Sequence, residues 1–366
     1  MSRLIVLGLA LAAFLTLGIA GPVPHLTRTA PRLHVEGSRL VDGTGAPVVL
    51  RGVNRPGGEY ACAKGMGGVW DGPMDDDAVA AMKDWHVKAV RVPLNSACWN
   101  GAAYTRGTVS ADTYRSAVRR YVDLLDRNGM TPVLDLHWSE GRYTGPDTQC
   151  ATARAVCAKP MPDAGAVPFW RSVAETFKDN TAVVLDLYNE PFPDRALPDT
   201  ATAWMCWRDG GAACAPGISA YRPVGMDTLV KTVRGTGAKN VILLAGINYA
   251  HDLSQWHRHR PADPTGNLAA SWHAYDKNPC NTPACWNRDI VPLLTRTPVV
   301  VTEIGQTDCR ADHVTTLMNW LDAHRTGYLA WAWTTYDCAA FPALITGYEG
   351  TPTDYGQGVQ DHMRRF

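Results

Sequence analysis

Eight short apolar runs rich in β-branched residues recur along the chain, and amphipathic stretches separate most of them; no other feature of the sequence limits the fold as tightly. The runs are Val48 to Asn54, Val87 to Leu94, Thr131 to Trp138, Ala182 to Glu190, Asn240 to Asn248, Leu268 to Tyr275, Pro298 to Glu303 and Tyr328 to Trp333. Between them, stretches such as Asp75 to His86, Ala111 to Asn128, Pro168 to Asp179, Met226 to Thr236 and Ala311 to Arg325 place apolar residues three and four apart, the spacing of a helix with one buried face. Several runs are apolar almost throughout, as strands of a parallel sheet must be when helices cover it. Eight strands alternating with helices predict one α/β domain over residues 32–366, a (β/α)₈ TIM barrel. An open doubly wound sheet is the alternative, but no glycine-rich phosphate loop follows the first run. Val133-Leu134-Asp135-Leu136-His137 is echoed by Val184-Leu185-Asp186-Leu187-Tyr188, which reads as two neighbouring strands of a quasi-repeating barrel.

The composition narrows the partners. Thirty-five basic residues balance 35 acidic ones, so there is no cationic field to collect phosphates, and nucleic acid is not expected as a partner. Met1-Ser2-Arg3 followed by an apolar run to Ala20 predicts a secretory signal over residues 1–20, with a connector over 21–31. An uncleaved anchor is the alternative, and without it no stable membrane partner is expected. Ten cysteines in an exported chain point to disulfides, and the absence of a Cys-x-x-Cys pair removes the zinc-ribbon and thioredoxin readings. Pairing within a loop or between adjacent loops gives Cys62–Cys98, Cys150–Cys157, Cys206–Cys214, Cys280–Cys285 and Cys309–Cys338. His257 and His259 read as surface histidines, and no metal or organic cofactor is expected.

Polar and aromatic residues collect where the runs end: Asn54, Arg91, His137, Asn189 with Glu190, His273 with Tyr275, Glu303, and Trp331 with Trp333. In a (β/α)₈ barrel the C-terminal strand ends form the floor of one cavity, so these residues converge. Period two puts Ser271, His273 and Tyr275 on one face, and likewise Trp331 and Trp333. Glu190 and Glu303 are isolated acids at the tips of apolar strands. A buried carboxylate is costly alone, so each is either half of an ion pair, with Arg91 the available cation, or a working acid. Two carboxylates meeting an arginine, histidines, a tyrosine and tryptophans suit hydrolysis of a glycosidic bond, in which one acid protonates the leaving oxygen and the other attacks or activates water. Thirteen tryptophans fit either sugar-stacking faces or a large core.

Seven motifs in order, Arg51-Gly52-Val53-Asn54, Arg91-Val92-Pro93, Asp135-Leu136-His137-Trp138, Asn189-Glu190-Pro191, His273-Ala274-Tyr275, Thr302-Glu303-Ile304-Gly305 and Trp331-Ala332-Trp333, resemble glycoside hydrolase family 5, the cellulase-like retaining barrels. The resemblance implies Glu190 as acid/base, Asn189 as a ligand of the sugar 2-hydroxyl, and Glu303 as nucleophile, ionised and aimed by Arg91 and Tyr275. It also implies that His137, Trp138 and His273 line the subsite where the bond breaks, over a tryptophan platform from the last strand. Trp333 is favoured for that platform over Trp331, and Arg51 and Asn54 are read as supporting residues. The expected activity is a secreted, endo-β-1,4-glucanase-like hydrolysis of β-linked poly- or oligosaccharide by double displacement. An exo-acting β-glucosidase or β-mannosidase, a β-mannanase, and a non-catalytic carbohydrate-binding barrel are the alternatives. Glu59 to Cys62, and the segment carrying Trp204, Cys206, Trp207 and Cys214, match no part of that pattern.

Overall fold

The computed structural model describes Met1 and residues 29–105, 109–140, 143, 158–216 and 221–366. The signal segment after Met1, most of the connector, and the Cys150–Cys157 pair fall outside the described residues.

All eight predicted strands are present and parallel, and they close into a barrel: β3 (Arg51–Asn54), β4 (Ala89–Asn95), β5 (Thr131–Trp138), β6 (Val184–Asp186), β7 (Ile242–Ala245), β8 (Leu268–Tyr275), β9 (Val299–Gly305) and β10 (Gly327–Ala330), with β10 pairing β3. Alternation along each strand sorts the side chains into two sets. Val90, Val92, Leu134, Leu136, Leu185, Ile242, Leu244 and Val301 point outward and pack under the helices. Ala89, Val133, Val184, Leu243, Ala269, Val300 and Leu329 point inward and form a separate apolar layer near the N-terminal strand ends. A Cβ at Gly52 would overlap the Ala89 carbonyl oxygen, so the close approach of β3 to β4 requires glycine there.

The hairpin of β1 (His34–Glu36) and β2 (Arg39–Val41) was not anticipated from the sequence; Leu33 and Leu40 join the inward apolar layer and plug the barrel from below. The longest described helix, Ala111–Arg127, begins where the Ser110 hydroxyl accepts from the Thr113 amide at 3.1 Å, satisfying one of the orphan donors of the first turn. The tryptophans are chiefly a core resource: Trp85, Trp99, Trp170, Trp204, Trp207, Trp256, Trp272, Trp286 and Trp333 are all under 2% exposed. In the unmatched segment after β6, Trp207 donates to the Ala245 carbonyl at 2.8 Å and packs edge-on to Trp204, which makes that insertion a prop for β7. Four of the expected disulfides lie among the described residues, Cys62–Cys98, Cys206–Cys214, Cys280–Cys285 and Cys309–Cys338, with Cα separations of 5.1 to 6.2 Å. No helix among the described residues is long and apolar enough to cross a membrane.

Candidate active site

Arg91 organises the floor of the upper cavity. It points inward two residues beyond Ala89 and is fully buried. Its Nε donates to Asp186 at 2.9 Å, its Nη1 to Glu303 at 2.7 Å and to Asn54 at 3.1 Å, and its Nη2 to Asn189 at 2.9 Å, with Asp135 3.1 Å from Nη2. Three carboxylates therefore share one guanidinium. Burial pushes Asp135 up to about 7 against the pull of Arg91, and pushes Asp186 well above the usual carboxylate value for the same reason. The buried ion pair weighed in the sequence is present: Arg91 is paired, and Glu303 is one of its partners.

Glu303 reaches this layer through an irregularity. The β8–β9 register slips between Trp272 and His273, so that Trp272 faces Val301 but His273 faces Glu303. Simple alternation from Val300 would carry Thr302 inward and Glu303 outward; the slip re-aims Glu303, as bulges commonly do beside active sites. Tyr275 donates to the second oxygen of Glu303 at 2.6 Å, and the Asn278 side chain accepts from the Tyr275 amide at 2.8 Å.

Glu190 sits past the end of β6, whose ladder stops at Asp186, yet the chain stays extended: the Leu187 amide donates to the Leu243 carbonyl at 3.1 Å and the Asn189 amide to Leu136 at 3.1 Å. The expected run to Glu190 therefore overstates the ladder and keeps the direction. Glu190 Oε1 lies 2.9 Å from His273 Nδ1, and a quarter of its side chain is exposed. Desolvation raises its pKa above the ordinary value, against the pull of His137, His251 and Arg91. His137 Nδ1 contacts Asp135 at 2.7 Å, and its Nε2 is 3.4 Å from the Asn189 amide nitrogen. Burial lowers His137 to about 4 and His273 to about 3, so both rings are neutral near pH 7. An oxygen of Glu190, one of Glu303 and a nitrogen of His273 lie within 4.8 Å of one another. That spacing could surround a cation, but Arg91 and Tyr275 already occupy both oxygens of Glu303 with hydrogen bonds. Cys280, Cys285 and Asp289 also cluster, with the two cysteines bonded to each other.

The tryptophan choice is reversed. Trp333 is fully buried, its ring edge-on to Trp85 at 4.9 Å, so it belongs to the core. Trp331 stacks on His137, with centroids 5.5 Å apart and planes 16° from parallel. The β10 ladder ends at Ala330, so strand alternation no longer governs these positions and the two rings go different ways. Trp138 stands beside His137 at 6.2 Å. Asp135 and Asp186, the aspartates of the echoed strands, were not recognised as partners of Arg91, although the echo marked them. His251 was missed altogether; its Nδ1 meets the His273 carbonyl at 3.0 Å, and it is delivered by three consecutive left-handed residues, Asn248 (φ 53°), Tyr249 (φ 57°) and Ala250 (φ 64°), which no periodicity announces.

A (β/α)₈ barrel carrying two glutamates at the C-terminal ends of separate strands, beside a buried arginine, neutral histidines and aromatic rings, is the architecture of a glycoside hydrolase. The cellulase model, glycosyl hydrolase family 5, matches residues 41–337, and the chain belongs to that family. A mannan endo-1,4-β-mannosidase from Salipaludibacillus agaradhaerens is 24% identical over 309 residues, 82% of this chain and 80% of that protein. Among solved structures, a β-glucanase from Saccharophagus degradans in complex with cellotetraose superposes with a TM-score of 0.69 at 17% identity, covering 93% of this chain and 94% of that one. A β-mannanase from Streptomyces thermolilacinus gives 0.61 at 21% identity, covering 90% and 95%.

Proposed function

We propose that the protein is a secreted retaining hydrolase of β-1,4-linked glucan or mannan, with Glu190 as acid/base and Glu303 as nucleophile. The observation that carries this reading is the approach of the two carboxylates, an oxygen of one lying within 4.8 Å of an oxygen of the other. A retaining pair stands about 5 to 5.5 Å apart, whereas an inverting pair leaves about 6.5 to 9.5 Å for a water molecule. The supports of the two acids differ in the same sense. Desolvation raises the pKa of Glu190, which favours the protonated form that gives its proton to the leaving oxygen. Glu303, gripped through both oxygens by Arg91 and Tyr275, attacks the anomeric carbon; the glycosyl–enzyme ester is then hydrolysed by a water from which Glu190 takes a proton. Asn189, held by Arg91 beside His137, meets the sugar hydroxyl next to the reacting carbon, and Trp331 with Trp138 covers apolar ring faces. The substrate class follows from the relatives, a mannan endo-1,4-β-mannosidase and a β-glucanase. Export follows from the disulfides and the signal-like N-terminus.

Azide rescue separates the two acids. Glu190→Ala should keep attack on aryl β-glycosides with good leaving groups but release the intermediate slowly, and azide should restore turnover to a β-glycosyl azide. Glu303→Ala should lose the first step, with azide giving the α-product. Exchange of the two stereochemical outcomes would exchange the roles, and an inverted wild-type product would remove double displacement.

A further inference from the structure

Two tyrosines, each two residues ahead of a disulfide cysteine, meet across the top of the barrel. Tyr60 precedes Cys62 in the loop after β3, and Tyr336 precedes Cys338 in the loop after β10. Their hydroxyls are 2.6 Å apart. Tyr60 donates to Asp71, so Tyr336 is the donor to Tyr60; Asp71 is in turn held by Arg55 at 2.8 Å. The contact completes a circuit of rings. Tyr60 lies 6.5 Å from Trp138, Trp138 6.2 Å from His137, His137 5.5 Å from Trp331, Trp331 6.0 Å from Phe341, and Phe341 5.6 Å from Tyr336.

In the strand order around the barrel, the rings of the circuit stand on or after β10, β3 and β5, across from the upper ends of β6, β7 and β8. The proton donor must stand beside the glycosidic oxygen, so the leaving chain departs on the side of Glu190. There His251, Tyr249, Arg195, Lys277 and Tyr275 border an open cavity of about 330 Å³. The opposite side, where the glycone must lie, is bordered by the loops after β3 and β10 and by His137 and Trp138 at the end of β5, which carry the ring circuit. A glycone extending past the enclosed sugars would have to pass between Tyr60 and Tyr336, and a hydroxyl–hydroxyl contact at hydrogen-bond distance leaves it no gap. Both jaws are pinned, one by Cys62–Cys98 and the Arg55–Asp71 pair, the other by Cys309–Cys338. We propose that this tyrosine clasp closes the glycone end of the cleft, so that the enzyme removes one or two sugars at a time from the non-reducing end of a β-linked chain. The proposal rests on the glycosidase reading above and adds to it the direction and length of the cut.

The test uses the full-length protein and reducing-end-labelled cellohexaose and mannohexaose. The wild type should release labelled pentasaccharide or tetrasaccharide first, and should lower the viscosity of soluble β-glucan or mannan slowly for each reducing end formed. Tyr336→Ala, at a ring that is 45% exposed, opens the clasp without disturbing the core; labelled tri- and disaccharide should then appear among the first products, and viscosity should fall faster per bond cut. Tyr60→Phe, which removes only the bridging hydroxyl, should shift the pattern in the same direction. Internal cleavage by the wild type, or a product pattern unchanged in both variants, would overturn the clasp while leaving the glycosidase reading intact. Absence of hydrolysis on every β-glucan, β-mannan and aryl β-glycoside would take both down.

Discussion

Within the barrel, two inward-facing layers lie one above the other on the same strands and do opposite things. The lower layer is Leu50, Ala89, Val133, Val184, Leu243, Ala269, Val300 and Leu329, closed from below by Leu33 and Leu40. Two residues further along five of those strands stand Arg91, Asp135, Asp186, Ser271 and Thr302, every one buried and polar. The lower layer contributes burial, at roughly 25 cal/mol per Å² of apolar surface, and tolerates apolar side chains of the right volume. The upper layer takes charges out of water and holds them only through mutual pairing. Its Ser271 and Thr302 hydroxyls bond to each other, and Arg91 pairs with three carboxylates at once. The contrast shows where the fold's stability is generated and where it is used to hold a reactive arrangement.

Removing Arg91 tests that contrast most severely. Arg91→Ala strands Asp135, Asp186 and Glu303 without their cation, and breaking a buried ion pair from one side typically costs about 3 to 5 kcal/mol. Both the denaturation midpoint and kcat/KM should fall; a variant as stable as the wild type would show that the upper layer does not depend on pairing. Leu243→Ala, in the lower layer, should cost about 2 to 5 kcal/mol through the cavity it leaves. Activity per folded molecule should be unchanged, and a large loss of kcat in a fully folded variant would mean that the two layers are not separable.

The subtlest test concerns another buried carboxyl, Glu59. Glu59 accepts from the Gly57 amide at 2.8 Å, and burial pushes it up to about 8 from an ordinary 4.5. Between those two values the folded protein holds a proton that the unfolded chain releases, so this group's contribution to stability is lost as pH rises from 4.5 to about 8. Glu59→Gln removes that loss. The unfolding midpoints of variant and wild type, compared across this range, should diverge in favour of glutamine as pH rises and run parallel above it; parallel curves throughout would show that Glu59 is not held protonated by the fold.

The barrel strands were legible because a strand buried on both faces must be apolar and β-branched, and eight such runs separated by amphipathic helices leave few other architectures. Glu190 and Glu303 were legible for a related reason: an acid at the tip of such a run has no cheap structural excuse. The hairpin below the barrel was not, since its strands are three residues each and show no alternation long enough to read. Period two places Trp331 and Trp333 on one face, but the β10 ladder ends at Ala330 and the two rings go different ways.

By itself, then, the sequence determined the number and order of the barrel strands and most of the polar residues at their upper ends, because each depends on residue type at short range. Only the tertiary structure decided which of these residues touch. That Arg91 is shared by Asp135, Asp186 and Glu303 depends on register across β4, β5, β6 and β9; that Glu303 faces inward depends on a slip between β8 and β9; that Tyr60 meets Tyr336 depends on barrel closure between β10 and β3. Register and closure are set by the packing of the whole barrel, and no window of neighbouring residues contains them.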